Sequence, residues 1–170
     1  ADYTSVNKRF TASAGVRADA CDYSSRMSRP WHQLSPRASL SYVLGGGWKI
    51  SGSAGLYYQL LPYTALGYLD AGQYVNRDLR YLRVGAVSAG VSWHLRDRLV
   101  LSLENFYKGY DDVPLSLADG IPLSCKGNDY GVVGNEALVS SAEGRAYGVE
   151  AMARWQIPGR VNIVGSVTLY

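Results

Sequence analysis

The sequence predicts an all-β fold, an antiparallel up-and-down meander of about seven long strands. Three observations predict it. Apolar and polar residues alternate with a period of two over most of the chain. Long and short connections between the alternating segments follow one another in strict order. Finally, Gly occurs 19 times and Tyr 14 times, against two Phe and two Met in 170 residues, a composition that favours strands and turns over helices.

The first strand is "RFTASAGVRAD", with Phe10, Ala12, Ala14, Val16 and Ala18 on one face and Arg9, Thr11, Ser13, Arg17 and Asp19 on the other. In "RASLSYVL", Ala38, Leu40, Tyr42 and Leu44 oppose Arg37, Ser39 and Ser41. In "WKISGSAGLYYQL", Trp48, Ile50, Ala54, Leu56, Tyr58 and Leu60 oppose Lys49, Ser51, Ser53 and Gln59. In "VSAGVSWHL", Val87, Ala89, Val91, Trp93 and Leu95 oppose Ser88, Ser92 and His94. In "LVLSLENFYK", Leu99, Leu101, Leu103 and Tyr107 oppose Ser102, Glu104 and Lys108. In "YGVEAMARWQI", Tyr147, Val149, Ala151, Ala153, Trp155 and Ile157 oppose Glu150, Arg154 and Gln156. The last strand sets Val161, Ile163, Val167 and Leu169 against Asn162, Ser166 and Thr168.

These strands run to roughly 9–13 residues, close to the ~9–11 that a tilted strand needs to cross a bilayer. Globular sheets use about 5–6. "GGG" at 45–47, "RDR" at 96–98 and "PGR" at 158–160 read as tight hairpin turns. Between them fall long polar segments at 20–35, 62–80 and 111–144. A meander with short turns at one end and long loops at the other has two ends facing different environments, as membrane barrels do.

Aromatic placement agrees. Trp48, Trp93 and Trp155 lie near the short turns, and Tyr58, Tyr107 and Tyr147 lie near the long-loop ends, all on the apolar face. Two such bands are expected where a barrel meets the two membrane–water interfaces. Charge is nearly absent from the apolar face, whereas Ser, Thr, Lys, Arg, Glu and Gln on the other suit a hydrated lumen. The chain is therefore expected to be a segment of a transmembrane β-barrel, with outer-membrane lipid as a partner. An odd count of about seven strands leaves bare edges that lipid does not tolerate, so residues 1–170 are expected to form one partial barrel domain of a larger protein.

Other chemistry is weakly represented. A net charge of +3, scattered along the chain, argues against nucleic acid. No apolar run approaches the ~20 residues of a membrane helix. Cys21 and Cys125 form no CxxC and have no histidine at zinc spacing, which favours free thiols over a disulfide. His32 and His94 read as satisfied or solvated side chains rather than ligands. "SVNK" at 5–8 has the SxxK spacing without its customary partner motifs. Asp111, Asp112, Asp119 and Asp129 crowd one long segment without EF-hand spacing, and read as a solvated loop rather than a calcium site. No enzyme activity and no cofactor are expected. Ligand binding, if this segment contributes to it, falls to the long loops and their bases. Tyr63, Tyr74, Arg77, Arg80 and Tyr110 are the candidates there, because aromatic and guanidinium groups suit catecholate, carboxylate or sugar ligands.

An ordered series of segments resembles a known family. "GVRADACDYSSRM" followed by "LSPRASLSY", then "GLYYQLLPYTALGY", "LENFYKGYDDVPLSLADG" and "GRAYGVEAMARW" are similar to successive barrel segments of TonB-dependent outer-membrane receptors, in the C-terminal barrel region. The resemblance implies a barrel of about 22 strands with a plugged lumen, located in the outer membrane. It implies import of a scarce nutrient: a ferric siderophore, haem, cobalamin, a glycan or a peptide. It also implies a TonB-type energising partner that acts through a plug region these segments do not include. Two other readings compete: a non-transporting structural or adhesive outer-membrane barrel, and a soluble β-sandwich binding module.

Overall fold

A computed structural model describes residues 2–4, 9–95, 98–126, 133–157, 159 and 161–170. In chain order the elements are β1 (Asp2–Thr4), β2 (Phe10–Ala18), β3 (Leu34–Gly45), β4 (Trp48–Gln59), α1 (Tyr63–Leu66), β5 (Leu69–Asp70), β6 (Gln73–Tyr74), β7 (Leu82–Leu95), β8 (Leu99–Ser116), β9 (Leu138–Ile157) and β10 (Val161–Leu169). Eight of the strands make one sheet in the order β1-β2-β3-β4-β7-β8-β9-β10, and β5 pairs with β6 as a small separate hairpin. Every pairing in the sheet is antiparallel. Seven of its strands are long, as the sequence predicts; the three-residue β1 adds a short edge pairing that periodicity could not reveal.

The register gathers most of the apolar residues on one face. One cross-strand row runs Trp48, Trp93, Leu101, Ala153, Gly165. The next runs Tyr42, Ile50, Val91, Leu103, Ala151, Val167. A slip of one residue in any pair would move that strand's apolar set to the other face, so a shared apolar face is what holds the register. The opposite face carries the row Ser41, Ser51, Gly90, Glu104, Glu150, Thr168. Beside it stand Ser13, Ser39, Ser53 and Ser88, with Ser53 and Ser88 hydroxyls 2.9 Å apart. Glu104 opposes Glu150 directly, and no ion pair among the described residues takes either. Like charges so placed repel and are tolerable only in contact with water. Phe106 and Met152 also lie on this face, so it is less uniformly polar than the sequence pattern suggests.

Burial is inverted relative to a water-soluble protein. Leu40, Val87, Leu103, Ile163, Val167 and Trp155 on the apolar face are 44–62% exposed. The buried apolar cluster lies at the long-loop end instead: Met27, Leu61, Ala65, Leu66, Leu79, Tyr81, Leu123 and Leu138. The connections expected as long polar segments therefore contain the molecule's packed core.

Two further expectations need correction. Strands β8 and β9 have 18 and 20 residues, well beyond 9–13, and the connection expected at 111–144 shrinks to 117–137. "DDVP" reads as loop because Asp and Pro avoid regular strands. A bulge absorbs them: the register shifts between Tyr110 and Val113 and again at Pro114, with Asp112 at φ +57°. Bulges are where a strand tolerates Pro and left-handed backbone. The 45–47 turn is present, with all three glycines at positive φ. A Cβ on Gly47 would collide with the His94 carbonyl, which accounts for glycine there. Most of the 96–98 and 158–160 turns, and "SVNK" at 5–8, lie outside the described residues.

Candidate functional site

The long-loop end is assembled by three connections, 19–33, 60–81 and 117–137. Short elements order them: 3-10 turns at Pro30–Gln33 and Leu123–Cys125, the single turn α1, and the β5–β6 hairpin. The apolar cluster joins all three, because Met27 comes from the first, Leu61, Ala65, Leu66, Leu79 and Tyr81 from the second, and Leu123 from the third.

Asn76 is the polar centre of this packing and is 1% exposed. Its side-chain amide donates to the Ala65 carbonyl at 2.7 Å and to the Glu136 carbonyl at 2.9 Å. Its Oδ1 accepts from the Leu138 amide at 2.8 Å. One side chain thus satisfies three buried backbone groups on two connections, each of which would be costly to leave unpaired. A second lock closes the third connection. Lys126 Nζ contacts Asp119 at 2.7 Å and Glu136 at 2.8 Å, and the buried Ser116 hydroxyl donates to Glu136. Lys126 holds both carboxyls below the usual carboxylate range, helped by the Ile121 amide at Asp119 and by Ser116 at Glu136. Asp119, then Glu136, hold Lys126 above the usual ammonium value.

Around this core lie three concavities. A cavity of about 480 Å³ is lined by Cys21, Tyr23, Tyr63, Leu66, Tyr74 and Arg77, among others. The Arg77 guanidinium stacks over the Tyr74 ring, 5.4 Å from its centroid. Among the described residues the buried Tyr23 hydroxyl has no hydrogen-bond partner, and burial raises its pKa, so it is protonated and free to donate. A depression of about 660 Å³ continues past Ser24, Arg26, Arg77, Asp78 and Arg80. A smaller cleft of about 280 Å³ holds Arg26, His32, Tyr58, Arg80, Arg83 and Asp112. Chemically, the first cavity offers aromatic faces, a cation and a hydroxyl donor within one wall, a set that suits a planar or anionic ligand.

Of the candidates named from sequence, Tyr63, Tyr74 and Arg77 meet in the first cavity. Arg80 lies along the next depression, with Nη1 3.1 Å from Asp112. Tyr110 is apart from them, in β8 opposite Gly144 and Val84. Tyr23, Asn76 and the Lys126 lock were not anticipated. The apolar spacing of Leu61, Ala65, Leu66, Leu79 and Tyr81 inside a supposed loop is the signal that could have found the packing. Cys21 and Cys125 are free thiols, the first on the cavity wall and the second exposed. Asp111, Asp112 and Asp119 face Arg83, Arg80 and Lys126, and Asp129 lies outside the described residues.

Of the six apolar-face aromatics, Trp48, Trp93 and Trp155 lie at the short-turn end of the sheet and Tyr58 at the far end of β4. Tyr107 and Tyr147 stand midway along β8 and β9, opposite Val87 and four residues short of the Tyr58 row. Trp48 stacks on Trp93 at 5.7 Å and 18°, and Trp93 Nε1 donates to the Gly46 carbonyl at 3.2 Å. Trp155 pairs with Leu99 and Ile163. Tyr107 opposes Tyr147, and Tyr58 opposes Arg83. A groove of about 670 Å³ beside Trp48, Trp93, Leu101 and Val167 is relief on this apolar face, remote from the loop cavities.

Comparison with known proteins adds the lineage. A family model described as TonB dependent receptor-like, beta-barrel matches residues 1–170. None of the curated proteins matches. Among solved structures, the FrpB iron transporter of Neisseria meningitidis (F3-3 variant) superposes with TM-score 0.56 at 14% identity, over 94% of this chain and 23% of its own. The closed form of the ferric-catecholate import receptor Fiu from K12 E. coli gives 0.57 at 15%, over 95% and 26%. The apoprotein of the FrpB F5-1 variant gives 0.55 at 13%, over 94% and 23%. At such identities the likeness is one of fold, and the chain spans about a quarter of the length of each. The whole-chain family match, the single apolar face and the paired long and short ends agree: the chain belongs to the TonB-dependent receptor β-barrel family.

Proposed function

We propose that this chain forms wall and vestibule of an outer-membrane receptor that binds a scarce nutrient and imports it with energy from a TonB-type partner. The observation that carries the reading is the cavity of Tyr23, Tyr63, Tyr74 and Arg77, set in a packed loop cap directly above a membrane-type wall. Pre-ordered loops bind with less entropic cost than mobile ones. The wall's bands of Trp48, Trp93, Trp155 and of Tyr58, Tyr107, Tyr147 sit at the two interfaces. From Trp48 to Tyr58 the strand advances roughly 33 Å at ~3.3 Å per residue, or about 23 Å along the normal at a ~45° tilt, close to the ~25 Å apolar band of such barrels.

Ferric siderophore, haem, cobalamin and glycan are the ligand classes under consideration. An aromatic, anionic iron chelate fits the cavity's chemistry best, and the similar folds of an iron transporter and a ferric-catecholate receptor support it. The role is carriage, not catalysis. The test is uptake of a labelled panel (a ferric catecholate, haem, cobalamin, an oligosaccharide) by cells expressing the full-length protein, with and without the energising partner. Energised uptake of one class, with affinity lowered at least tenfold by Tyr74→Ala plus Arg77→Ala, is expected. Surface adhesion without uptake would replace this reading by the structural or adhesive barrel, and unchanged affinity in the double variant would remove the cavity from it.

A further inference from the structure

Four successive cross-strand rows span the apolar face from the Trp48–Trp93 pair to the Tyr107–Tyr147 pair. The third reads Leu40, Gly52, Ala89, Asn105, Val149, Leu169. Asn105 is the single exception on the four rows, whose other described residues are Ala, Gly, Val, Leu, Ile or aromatic. It is exposed, and among the described residues its carboxamide has no hydrogen-bond partner. It stands on β8, flanked on both sides by the paired strands β7 and β9. A barrel grows only from the edges of its sheet, so no further strand covers this side chain. Asn is depleted in strands, and lipid tails offer it neither donor nor acceptor. Unpaired there, it carries the desolvation penalty of a polar group in hydrocarbon. Its placement calls for a polar partner at the same depth.

A carboxamide is its own complement, because it carries both N–H donors and a carbonyl acceptor. Two copies related by a two-fold along the membrane normal hold equal residues at equal depth. An axis through Asn105 therefore brings the two amides together as a reciprocal N–H···O pair. Charge permits the approach: no charged residue lies on the four rows, so identical faces bring no like charges into contact. Shape agrees as well. At a tilt of ~45° the strands of two facing walls cross at about 90°. The row neighbours of Asn105 in one copy then meet its strand neighbours in the other. Ala89 and Val149 are the small row neighbours; Leu103 and Tyr107 are the larger strand neighbours, 44% and 50% exposed. The groove of about 670 Å³ along Leu101, Leu103, Ala151 and Val167 begins one row below and leaves room for protruding side chains to seat.

We propose that Asn105 centres a two-fold interface between two copies of this wall inside the membrane. This rests on the barrel fold and not on nutrient import. In the test, the full-length protein with Cys21→Ser and Cys125→Ser carries Asn105→Cys, and is oxidised in intact cell membranes. A disulfide-linked product of twice the protein's mass is expected. Leu40→Cys, on the same row but three strands away, is expected to give none. Native mass spectrometry of the protein with its own Asn105 is expected to show a dimer in mild detergent. Asn105→Leu is expected to weaken self-association about tenfold, as loss of two hydrogen bonds between membrane-spanning segments does. Heat-modifiable gel mobility reports that this variant still folds. Asn105→Gln, which keeps the carboxamide, is expected to fall between. Monomer alone from Asn105→Cys would overturn the proposal. So would equal cross-linking from both cysteine positions, which is random collision, or a dimer undiminished in Asn105→Leu. A cross-linked product of any other mass would also overturn it, by giving the face to a different protein.

Discussion

Replacing Asn76 by Ala should uncouple the loop cap from itself while leaving the wall folded. The substitution removes three hydrogen bonds, to the Ala65 and Glu136 carbonyls and from the Leu138 amide, at a site 1% exposed. At about 1 kcal/mol net per bond, and more where a buried partner is left unpaired, the cap should lose about 3 kcal/mol or more. At ~1.4 kcal/mol per factor of ten, the amide of Leu138 should lose about a hundredfold in exchange protection. Hydrogen–deuterium exchange on the full-length protein in detergent reads this peptide by peptide. Peptides from β7 below Gly85 serve as the internal reference, because strand bonds there do not depend on Asn76. Asn76→Asp keeps the acceptor for Leu138 but faces a carboxylate against two carbonyls, so it should not rescue. A change below threefold at Leu138, or equal loss of protection in cap and wall, would refute the idea that Asn76 ties the two connections together.

Two further outcomes follow from face and charge. Val87→Arg places a cation on the apolar face within the membrane span, where such a change costs up to about 2–4 kcal/mol, depending on depth. Ser88→Arg, one residue on, meets the polar face and should be tolerated; folding yield measured by heat-modifiable gel mobility separates the two, and equal yields would overturn the face assignment. The Lys126 lock has a defined pH window. Asp119 and Glu136 titrate below their usual values, so their contribution is complete above the ordinary carboxylate range and is lost as pH falls through the lowered values, below about 4. Lys126 titrates above its usual value, so its contribution is complete below about 10.4 and is lost as pH rises beyond. Protease nicking of 117–137 should be flat from about pH 5 to 10 and increase on either side. Lys126→Met should remove the alkaline limb and weaken the acid limb, since the Ile121 amide and the Ser116 hydroxyl still lower Asp119 and Glu136.

The wall was legible because period two leaves little freedom. Once Trp48, Ile50 and Ala54 share a face, their partners Trp93, Val91 and Val87 must share it too, and only the strand ends remained open. The loop cap was not legible for the converse reason. Its packing is non-local: Met27, Leu79 and Leu123 share one buried cluster with no periodicity linking them, and Asn76 reads locally as a turn former. Tyr63, Tyr74 and Arg77 could be named by residue type, but their convergence on Tyr23 depends on two connections folding against each other. The ends of β8 and β9 were misread because Asp112 and Pro114 break the strand pattern while the backbone continues through a bulge.

Separating an apolar wall from a packed cap also separates what stabilises each. The wall exposes Leu103, Val167 and Trp155 and gains nothing from water-driven burial unless lipid covers them; its order depends on the bilayer and on strand pairing. The cap buries Met27, Ala65, Leu79 and Asn76 almost completely, so its order depends on water exclusion and on three connections meeting. Bilayer thickness should therefore act on the wall and pH or Asn76 on the cap, with near-additive effects because the two share few contacts. The shared contacts lie at the rim, where Tyr58 and Leu82 pack on the buried cluster from the wall strands, Asn76 and Ser116 bond across to Leu138 and Glu136, and Arg80 and Arg83 reach Asp112 and Asp111. Among the described residues these side chains link the wall to the proposed vestibule. A double-mutant cycle between Tyr58→Ala and Asn76→Ala should show more interaction than one between Trp155→Ala and Asn76→Ala.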